Sequence, residues 1–336
     1  MIPISLLELV RVREGHGVSR ALADAATVAR RAEAAGFNRI WVAEHHNMMS
    51  VASAATSVVI AHLAAATSTI RVGAGGIMLP NHSPLVIAEQ FGTLEALFPG
   101  RIDLGLGRAP GTDQIASRAM RVDAMRSQQF PQEVQELQAL LAPAQEGQRL
   151  IANPGAGVEV PLWILGSSTF GAQLAAMLGL PYAFASHFAP AALHAALRAY
   201  RQGFQPSSAL ARPHAMIGVN VIVADSDEEA RRLATTQQMG FTEIFRGTRG
   251  FAKPPIDDIE AYWSPAERAQ VMQMLSCSVV GSPATVKRGL SDLLASTGAD
   301  ELMIVSETYD LDARLRSLDM ISNIARDLDR EIDAAA

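Results

Sequence analysis

Residues 101–112 read RIDLGLGRAPGT, an alternating apolar run that ends in two spaced glycines, an arginine and a turn at Pro110. Apolar residues at every second position are typical of a β-strand with one buried face. Gly105 and Gly107 carry no side chain, so a flat ligand has room to lie against the backbone there. Arg108 follows the strand end, where a fixed guanidinium suits a phosphate. A buried strand with a capping arginine is the alternative interpretation.

Seven other short apolar runs alternate with segments of helical period around this strand. The runs are residues 4–10, 39–43, 70–79, 162–165, 182–186, 215–224 and 301–306. The helical segments are residues 19–35, with a serine cap, then 52–66, 84–97, 131–141, 170–178, 190–204, 225–239 and 310–328. Eight alternations predict a (β/α)8 TIM barrel. We predict a single domain over residues 1–336, with insertions after strand 4 and before strand 8.

The composition indicates a large core and no strong charge. The chain has 336 residues, of which 49% are hydrophobic and 18% are charged, and its net charge is −6. This balance does not favour nucleic acid or an anionic membrane, and no apolar stretch reaches the ~18 residues of a membrane span. The one cysteine, Cys277, excludes an internal disulfide and is compatible with a reducing compartment. We therefore predict a cytoplasmic protein that binds neither nucleic acid nor a membrane.

Polar residues cluster where strand 2 ends, at Glu44, His45, His46 and Asn47. The carboxyl ends of barrel strands carry the chemistry in barrel enzymes. Adjacent residues of an extended segment face opposite ways, so one of the two histidines faces the barrel axis. We predict acid–base or hydrogen-bonding work near a cofactor, because histidine titrates near neutral pH. Histidines that only contact strand-end carbonyls are one alternative. A metal site completed by His187 or Asp103 is another, but no HxH or HExxH spacing occurs and we predict no metal.

Two further stretches indicate a ligand at the same face. Residues 166–169 read GSST between an apolar strand and a helix, so their amides and hydroxyls predict a phosphate cradle. An ordinary helix cap is the alternative. Residues 73–79 read GAGGIML and place small residues in the middle of strand 3, where a glycine-rich bulge is the alternative. Beside Gly105 and Gly107, these glycines predict a slot for a planar ring whose phosphate reaches Arg108.

Three stretches resemble the bacterial luciferase-like, flavin-dependent monooxygenases. They are WVAEHHN at 41–47, RVGAGGIMLPNHSPLVIAEQFGTLEALFPGRIDLGLGRAPGTD at 71–113 and LWILGSSTFGAQLAAMLGLPYAFASHF at 162–188. With the strand order they cover nearly the whole chain, and the likeness is greatest to single-chain bacterial members of unassigned substrate. The resemblance implies a (β/α)8 barrel that binds FMN, or its reduced form, at the carboxyl ends of the strands.

The resemblance also implies roles for particular residues. A non-prolyl cis peptide that supports the flavin ring corresponds to Gly75-Gly76, and an active-site histidine that moves a proton near the flavin corresponds to His45. The predicted catalytic residues are Glu44, His45 and His46. The predicted cofactor-binding residues are Gly75, Gly76, Met78, Gly107, Arg108, Gly166, Ser167, Ser168 and Thr169, with Arg108 and the last four at the phosphate.

Two departures from the family pattern bear on the chemistry. The cysteine beside the flavin in luciferases corresponds to Gly107, and a glutamate at their phosphate loop corresponds to Gly166. Both changes argue against luciferase-like aldehyde chemistry and leave flavin binding in place. The resemblance implies an oxidoreductase that takes reduced FMN from a separate reductase and uses dioxygen to oxygenate a small organic substrate. A deazaflavin- or NADPH-linked reductase on the same barrel, and a flavin-binding protein without catalysis, are the alternatives.

Two segments carry expectations beyond the site. Residues 240–278 contain five aromatic residues among glycines and prolines, which predicts a lid over the mouth, with a packed barrel insertion as the alternative. The resemblance implies a homodimer that pairs through helices beside strands 2 and 3. The alanine-rich residues 52–66 suit such close helix packing, and burial inside the monomer is the alternative.

Overall fold

The computed structural model describes residues 2–109, 111–123, 125–248 and 250–335, so Pro110 of the predicted turn lies outside the described residues. The strands in these ranges are β1 (Ile4–Glu8), β2 (Arg39–Val42), β3 (Arg71–Met78), β4 (Ile102–Gly107), β5 (Leu162–Gly166), β6 (Tyr182–Phe184), β7 (Ala215–Val223), β8 (Ser278–Gly281) and β9 (Glu301–Val305). The α-helices are α1 (Val18–Ala35), α2 (Thr56–Ala65), α3 (Pro84–Leu97), α4 (Gln114–Ala119), α5 (Phe130–Leu141), α6 (Thr169–Leu178), α7 (Leu193–Gly203), α8 (Asp227–Arg246), α9 (Pro265–Met274), α10 (Pro283–Thr297) and α11 (Leu311–Ala335).

Eight of these strands close into a parallel barrel. They pair in the order β6-β5-β4-β3-β2-β1-β9-β7, and a further pairing of β6 with β7 completes the ring. Helices separate consecutive barrel strands, as a parallel connection requires. The predicted (β/α)8 barrel is therefore confirmed, with its insertions after β4 and before β9.

The strand β8 was not predicted from the sequence. It has four residues and pairs with the carboxyl-terminal part of β7, from Asn220 to Val223. The same edge of β7 pairs with β6 only over Ala215–Ile217, so β8 occupies the edge that β6 leaves open. A strand this short has no recognisable period, and its place depends on the extra length of β7.

Several helix boundaries differ from the predicted ones. Gly17 is the N-cap of α1 in extended backbone and Ser19 lies inside the helix, so the predicted serine cap is wrong. Helix α2 begins at Thr56 instead of residue 52, and α8 continues to Arg246 instead of ending at 239. Residues 109–129, which fit no predicted element, contain α4 and a short 3-10 turn. No helix in the described ranges combines the length and apolar character needed to cross a bilayer.

The inside of the barrel is filled, so it contains no pore through its axis. Leu7, Trp41, Trp163 and Met303 belong to one buried cluster inside the ring of strands. The rings of Trp41 and Trp163 meet edge to face, with centroids 5.1 Å apart. A larger cluster of apolar residues joins the outer faces of the strands to the helices. The filled interior leaves the two ends of the barrel as the places for polar chemistry.

A buried ion network closes the amino end of the barrel. Arg39 at the start of β2 pairs with Asp103 at 2.8 Å and with Glu301 at 2.9 Å. Arg71 also donates to Asp103, and His214 contacts Glu301 at 3.2 Å. Asp103 therefore lies at the end opposite His45, and the alternative that made it a metal ligand beside the histidines is wrong. The buried carboxylate of Asp103 pairs with two arginines, so its role is structural.

Candidate active site at the mouth of the barrel

Glu44 joins the ends of β2 and β3 at the carboxyl end of the barrel. Its side chain is buried, and its carboxylate accepts hydrogen bonds from the Met78 amide at 3.0 Å, Asn81 Nδ2 at 3.0 Å, His46 Nε2 at 2.9 Å and His82 Nε2 at 2.9 Å. Four donors occupy the acceptor sites of this one carboxylate. The arrangement makes Glu44 an anchor of the rim, and its catalytic role stays a prediction.

The ionisation of Glu44 follows from these donors. Burial raises the pKa of its carboxyl group, but the hydrogen bond and charge of His82, with the hydrogen bonds of Asn81 and His46, outweigh burial. The pKa of Glu44 therefore lies below its ordinary value, and the side chain stays ionised at neutral pH. His46 is part of the same hydrogen-bonded group, because its Nε2 donates to Glu44.

His45 presents a proton acceptor at the mouth. Its ring is partly buried, and Nδ1 lies 3.4 Å from the carbonyl oxygen of Gly111 in the loop after β4. A carbonyl only accepts, so Nδ1 carries the proton in the neutral ring and Nε2 keeps a lone pair. Burial lowers the pKa of His45, and the positive charge of Arg11 lowers it further. His45 is therefore neutral near pH 7, with Nε2 as the acceptor.

Arg108 lies beside the N-terminus of α6, at the end of the neighbouring strand. Its guanidinium carbon is 4.1 Å from the centroid of the Phe170 ring, and no carboxylate in the described ranges pairs with it. The α6 N-cap, Ser168, makes no hydrogen bond from its side chain to the helix, so the alternative of an ordinary serine cap is not observed. Ser167 and Thr169 are exposed beside it. An uncapped helix N-terminus, hydroxyls and a fixed cation form a donor set that suits a phosphate.

Phe170 is a site residue that the sequence did not reveal. It was predicted only as the start of a helix. In the structure its ring packs against the Arg108 guanidinium. A signal is present in the sequence, because an aromatic residue directly follows the GSST loop. This aromatic residue can be assigned to the site only once β4 is known to pair with β5, because that pairing brings residue 170 next to residue 108.

The peptide between Gly75 and Gly76 is cis, as the resemblance implies. Pairing of β3 with β4 shifts at this point, from Ala74 opposite Leu104 to Ile77 opposite Leu106. Two residues of β3 therefore lie opposite one residue of β4, which is a bulge. The glycine-rich bulge, the alternative given for residues 73–79, is confirmed. Their contact with a cofactor stays a prediction.

The β4 glycines have close neighbours on the side where a Cβ would lie, and the flat slot beside them stays a prediction. A Cβ at Gly105 would overlap the Ala74 carbonyl and lie 2.7 Å from Leu165 Cδ1. A Cβ at Gly107 would lie 2.8 Å from Met78 Sδ. Gly105 therefore admits the close approach of β3, and the space beside Gly107 is filled by a flexible thioether.

Residues 240–278 pack as an insertion in their described part. The segment begins inside α8 and includes α9 and the start of β8, and Trp263 is buried with Val271 and Leu275 in a small cluster. Backbone hydrogen bonds join Ala252 to Val12 at 3.1 Å and to Glu14 at 2.8 Å. These contacts favour the packed insertion over the lid.

The fold and the strand ends define a class of barrel protein that carries an exposed arginine and a neutral histidine at one rim. No group of three or more His, Cys, Asp or Glu residues in the described part of the chain is arranged to hold a metal ion. The sequence profile of the luciferase-like monooxygenase family matches residues 2–301. The chain belongs to this family, and membership supports an oxidoreductase of the monooxygenase class.

Individual relatives agree with this assignment. A luciferase-like monooxygenase of Escherichia coli K12 is 48% identical over 328 residues, which is 97% of this chain and 98% of the relative. The crystal structure of apo-MsnO8 is 34% identical with a TM-score of 0.89 and covers 97% of this chain and 99% of its own. The oxygenating constituent of 3,6-diketocamphane monooxygenase from Pseudomonas putida, a type II Baeyer-Villiger monooxygenase in complex with FMN, has a TM-score of 0.72 at 17% identity, over 96% of both chains. At that identity the likeness shows the fold alone.

Proposed function

We propose that this protein is a flavin-dependent monooxygenase that binds reduced FMN, supplied by a separate reductase, and uses dioxygen to oxygenate a small organic substrate. The observation that carries the proposal is Arg108, which pairs with no carboxylate of the described residues and lies beside the uncapped N-terminus of α6. A monophosphate fits this donor set because guanidinium, helix amides and hydroxyls all donate to its oxygens. The FMN bound by the Pseudomonas putida neighbour supports the same choice of cofactor.

Arg108, Gly166, Ser167, Ser168 and Thr169 would hold the FMN phosphate. The ring end would be lined by the Gly75-Gly76 bulge, by Met78 and by Gly107. Met78 has a flexible side chain and a backbone held by Glu44, so its thioether can move while the strand end stays fixed.

The reduced flavin, when bound, supplies the electrons that activate dioxygen. The chain supplies position and proton control. Arg108 binds the phosphate, Glu44 keeps the ends of β2 and β3 together, and His45 holds a neutral acceptor at Nε2 for a proton released at the mouth. Burial of the His45 ring keeps it in the unprotonated form that this work requires.

Oxygen uptake with reduced FMN tests the proposal. The protein is titrated anaerobically with reduced FMN and then mixed with air-saturated buffer, and the flavin spectrum and dissolved oxygen are followed together. We expect saturable binding, oxygen uptake, and flavin reoxidation with a lag that free reduced FMN lacks. Reoxidation at the rate of free FMN with bound flavin would indicate a flavin-binding protein without catalysis. Binding of a reduced deazaflavin in place of FMN, without oxygen uptake, would indicate the reductase.

We also propose that the whole chain works as one domain and forms a cytoplasmic homodimer through α2 and α3. Val58 on α2 is 68% exposed, and Val86 and Leu97 on α3 are 43% and 61% exposed. Residues 86 and 97 are eleven positions apart, which places them on the same face of a helix that turns 100° per residue. Large apolar side chains on neighbouring exposed helices support a face that a second copy covers.

A further inference from the structure

His187 lies three positions after the end of β6, and its ring and backbone are fixed by the neighbouring strand β7. Gly218 of β7 lies against Nδ1, and a Cβ at this position would overlap the ring. Asn220 Nδ2 donates to the His187 carbonyl oxygen at 2.6 Å, and Ser186 Oγ donates to the Gly218 carbonyl oxygen at 2.6 Å. Three contacts along one strand therefore hold this histidine in a single place.

The surroundings of the two ring nitrogens determine where the proton sits. Nδ1 is buried and has no hydrogen-bond partner in the described ranges. A proton on Nδ1 would leave a buried donor unsatisfied, which is costly, so the neutral ring carries its proton on Nε2. Burial lowers the pKa of His187 to about 4, and the charge of His45 lowers it in the same direction. The ring is partly exposed, and its Nε2–H makes no hydrogen bond to any described residue.

The two histidines at the mouth have opposite hydrogen-bonding character. His45 keeps a lone pair on Nε2 because its Nδ1–H faces the Gly111 carbonyl, and His187 presents an N–H. Both are uncharged at neutral pH. The nearby Arg11 is already paired with Glu307, with Nε 2.8 Å from Oε2, so it is not free for a carboxylate.

We propose that His187 is a substrate-binding residue that donates a hydrogen bond from Nε2 to an uncharged oxygen of the substrate. This inference rests on the proposed function and names a substrate-binding residue of the same site. An uncharged donor suits an uncharged acceptor, whereas a carboxylate is best bound by a cation, and the nearby Arg11 is already paired with Glu307.

Nitrogen NMR of the ¹⁵N-histidine-labelled full chain tests the proton position. The His187 signals are assigned by their loss in His187→Gln. We expect the neutral pattern with the proton on Nε2 at neutral pH, retained on lowering the pH to about 5.5, where an ordinary histidine is charged. A proton on Nδ1, or a charged ring at neutral pH, would overturn the proposal.

Ligand binding tests the hydrogen bond with cyclohexanone and methylenecyclohexane, which share their shape and differ in the oxygen. Each is titrated into the full chain, with and without FMN, while the His187 Nε2–H signal is followed. We expect cyclohexanone to shift this signal saturably and to bind about tenfold more tightly than methylenecyclohexane. Equal affinity, or no shift with cyclohexanone in either state, contradicts the proposal.

Three variants separate donation from packing. His187→Gln keeps an amide N–H near the position of Nε2 and is expected to bind cyclohexanone within about threefold of the wild type, while His187→Leu is expected to lose about tenfold. His194→Leu, at an exposed position on α7, is the matched control and is expected to change nothing. If both His187 variants bind cyclohexanone equally, the donor role is wrong. The proton position is measured without flavin, so a failure of the FMN proposal leaves that result interpretable.

Discussion

At the scale of the residue, one backbone neighbour fixes the proton on each mouth histidine. The Gly111 carbonyl holds the Nδ1–H of His45, and Gly218 leaves Nδ1 of His187 without an acceptor. Neither assignment follows from the sequence, because the neighbours are separated from the histidines by 66 and 31 positions. The histidines themselves were predictable as strand-end residues. The four hydrogen bonds to Glu44 were not predictable, since one donor is the last residue of β3 and two more come from the segment after it.

The lowered pKa of His187 predicts a pH dependence of stability. Below the ordinary pKa of about 6.5, His187 binds a proton in the unfolded chain, whereas in the folded chain it binds one only near pH 4. The contribution of His187 to folding stability is therefore present above pH 6.5 and is lost as the pH falls toward 4. The free energy of unfolding of the wild type should fall between pH 7.5 and 5, and His187→Gln should reduce this fall by about 1 kcal/mol, allowing for the partial exposure of the ring. Urea unfolding at both pH values measures it, with His194→Gln as the control. Equal losses in wild type and His187→Gln would contradict the assignment.

The replacement of Arg108 with Ala tests the phosphate end. One charge-assisted hydrogen-bonding group is lost, so FMN should bind about 10- to 100-fold more weakly. Riboflavin has no phosphate and should change by less than about threefold. Isothermal titration with both ligands measures the difference, and Arg118→Ala on the exposed side of α4 serves as the control. Equal losses for FMN and riboflavin would remove Arg108 from the phosphate.

At the scale of the element, predictions succeeded where an apolar run lay between breakers. The bounds of α3 agree with the predicted residues 84–97 because Pro84 opens the helix. The end of α8 was missed because the predicted helix stops at residue 239, whereas Gly240 has open space on the helix surface and does not interrupt the helix. The β4 glycines were recognised as special for a bound ring, which stays a prediction; the close approach of β3 at Gly105 was missed, because it cannot be read from one strand.

A crowded glycine on β4 and an open glycine on α8 should respond in opposite ways to replacement with alanine. Gly105→Ala would force a methyl group into the Ala74 carbonyl and Leu165, and should cost about 2–4 kcal/mol of unfolding free energy. Gly240→Ala, with nothing within 4 Å on α8, should gain about 0.5–1 kcal/mol. Urea unfolding of both variants measures the contrast. A neutral Gly105→Ala would mean that the strands are farther apart than described.

At the scale of the whole molecule, parallel strand order collects the site. Residues 44–47, 108 and 166–169 meet at one rim because every barrel strand runs in the same direction. That much was predictable once eight alternations were recognised. The closed amino end, with its Arg39, Asp103 and Glu301 network, explains why the opposite rim is the one left for chemistry.

The exposed apolar face of α2 and α3 predicts a dimer in solution. Val58→Glu combined with Leu97→Glu places charges on that face and should convert a dimer to a monomer without changing the circular dichroism spectrum. Sedimentation velocity measures the mass, and Met272→Glu on α9, at another exposed apolar position, should leave the dimer intact. A wild-type monomer would contradict the assignment of this face.

The most direct measurement is a crystal structure of the full chain grown with FMN. The account predicts the phosphate between Arg108 and the N-terminus of α6, with the ring beside the Gly75-Gly76 bulge and Met78 moved from its position against Gly107. FMN bound anywhere else on the molecule, or a mouth that stays empty at saturating FMN, would contradict it.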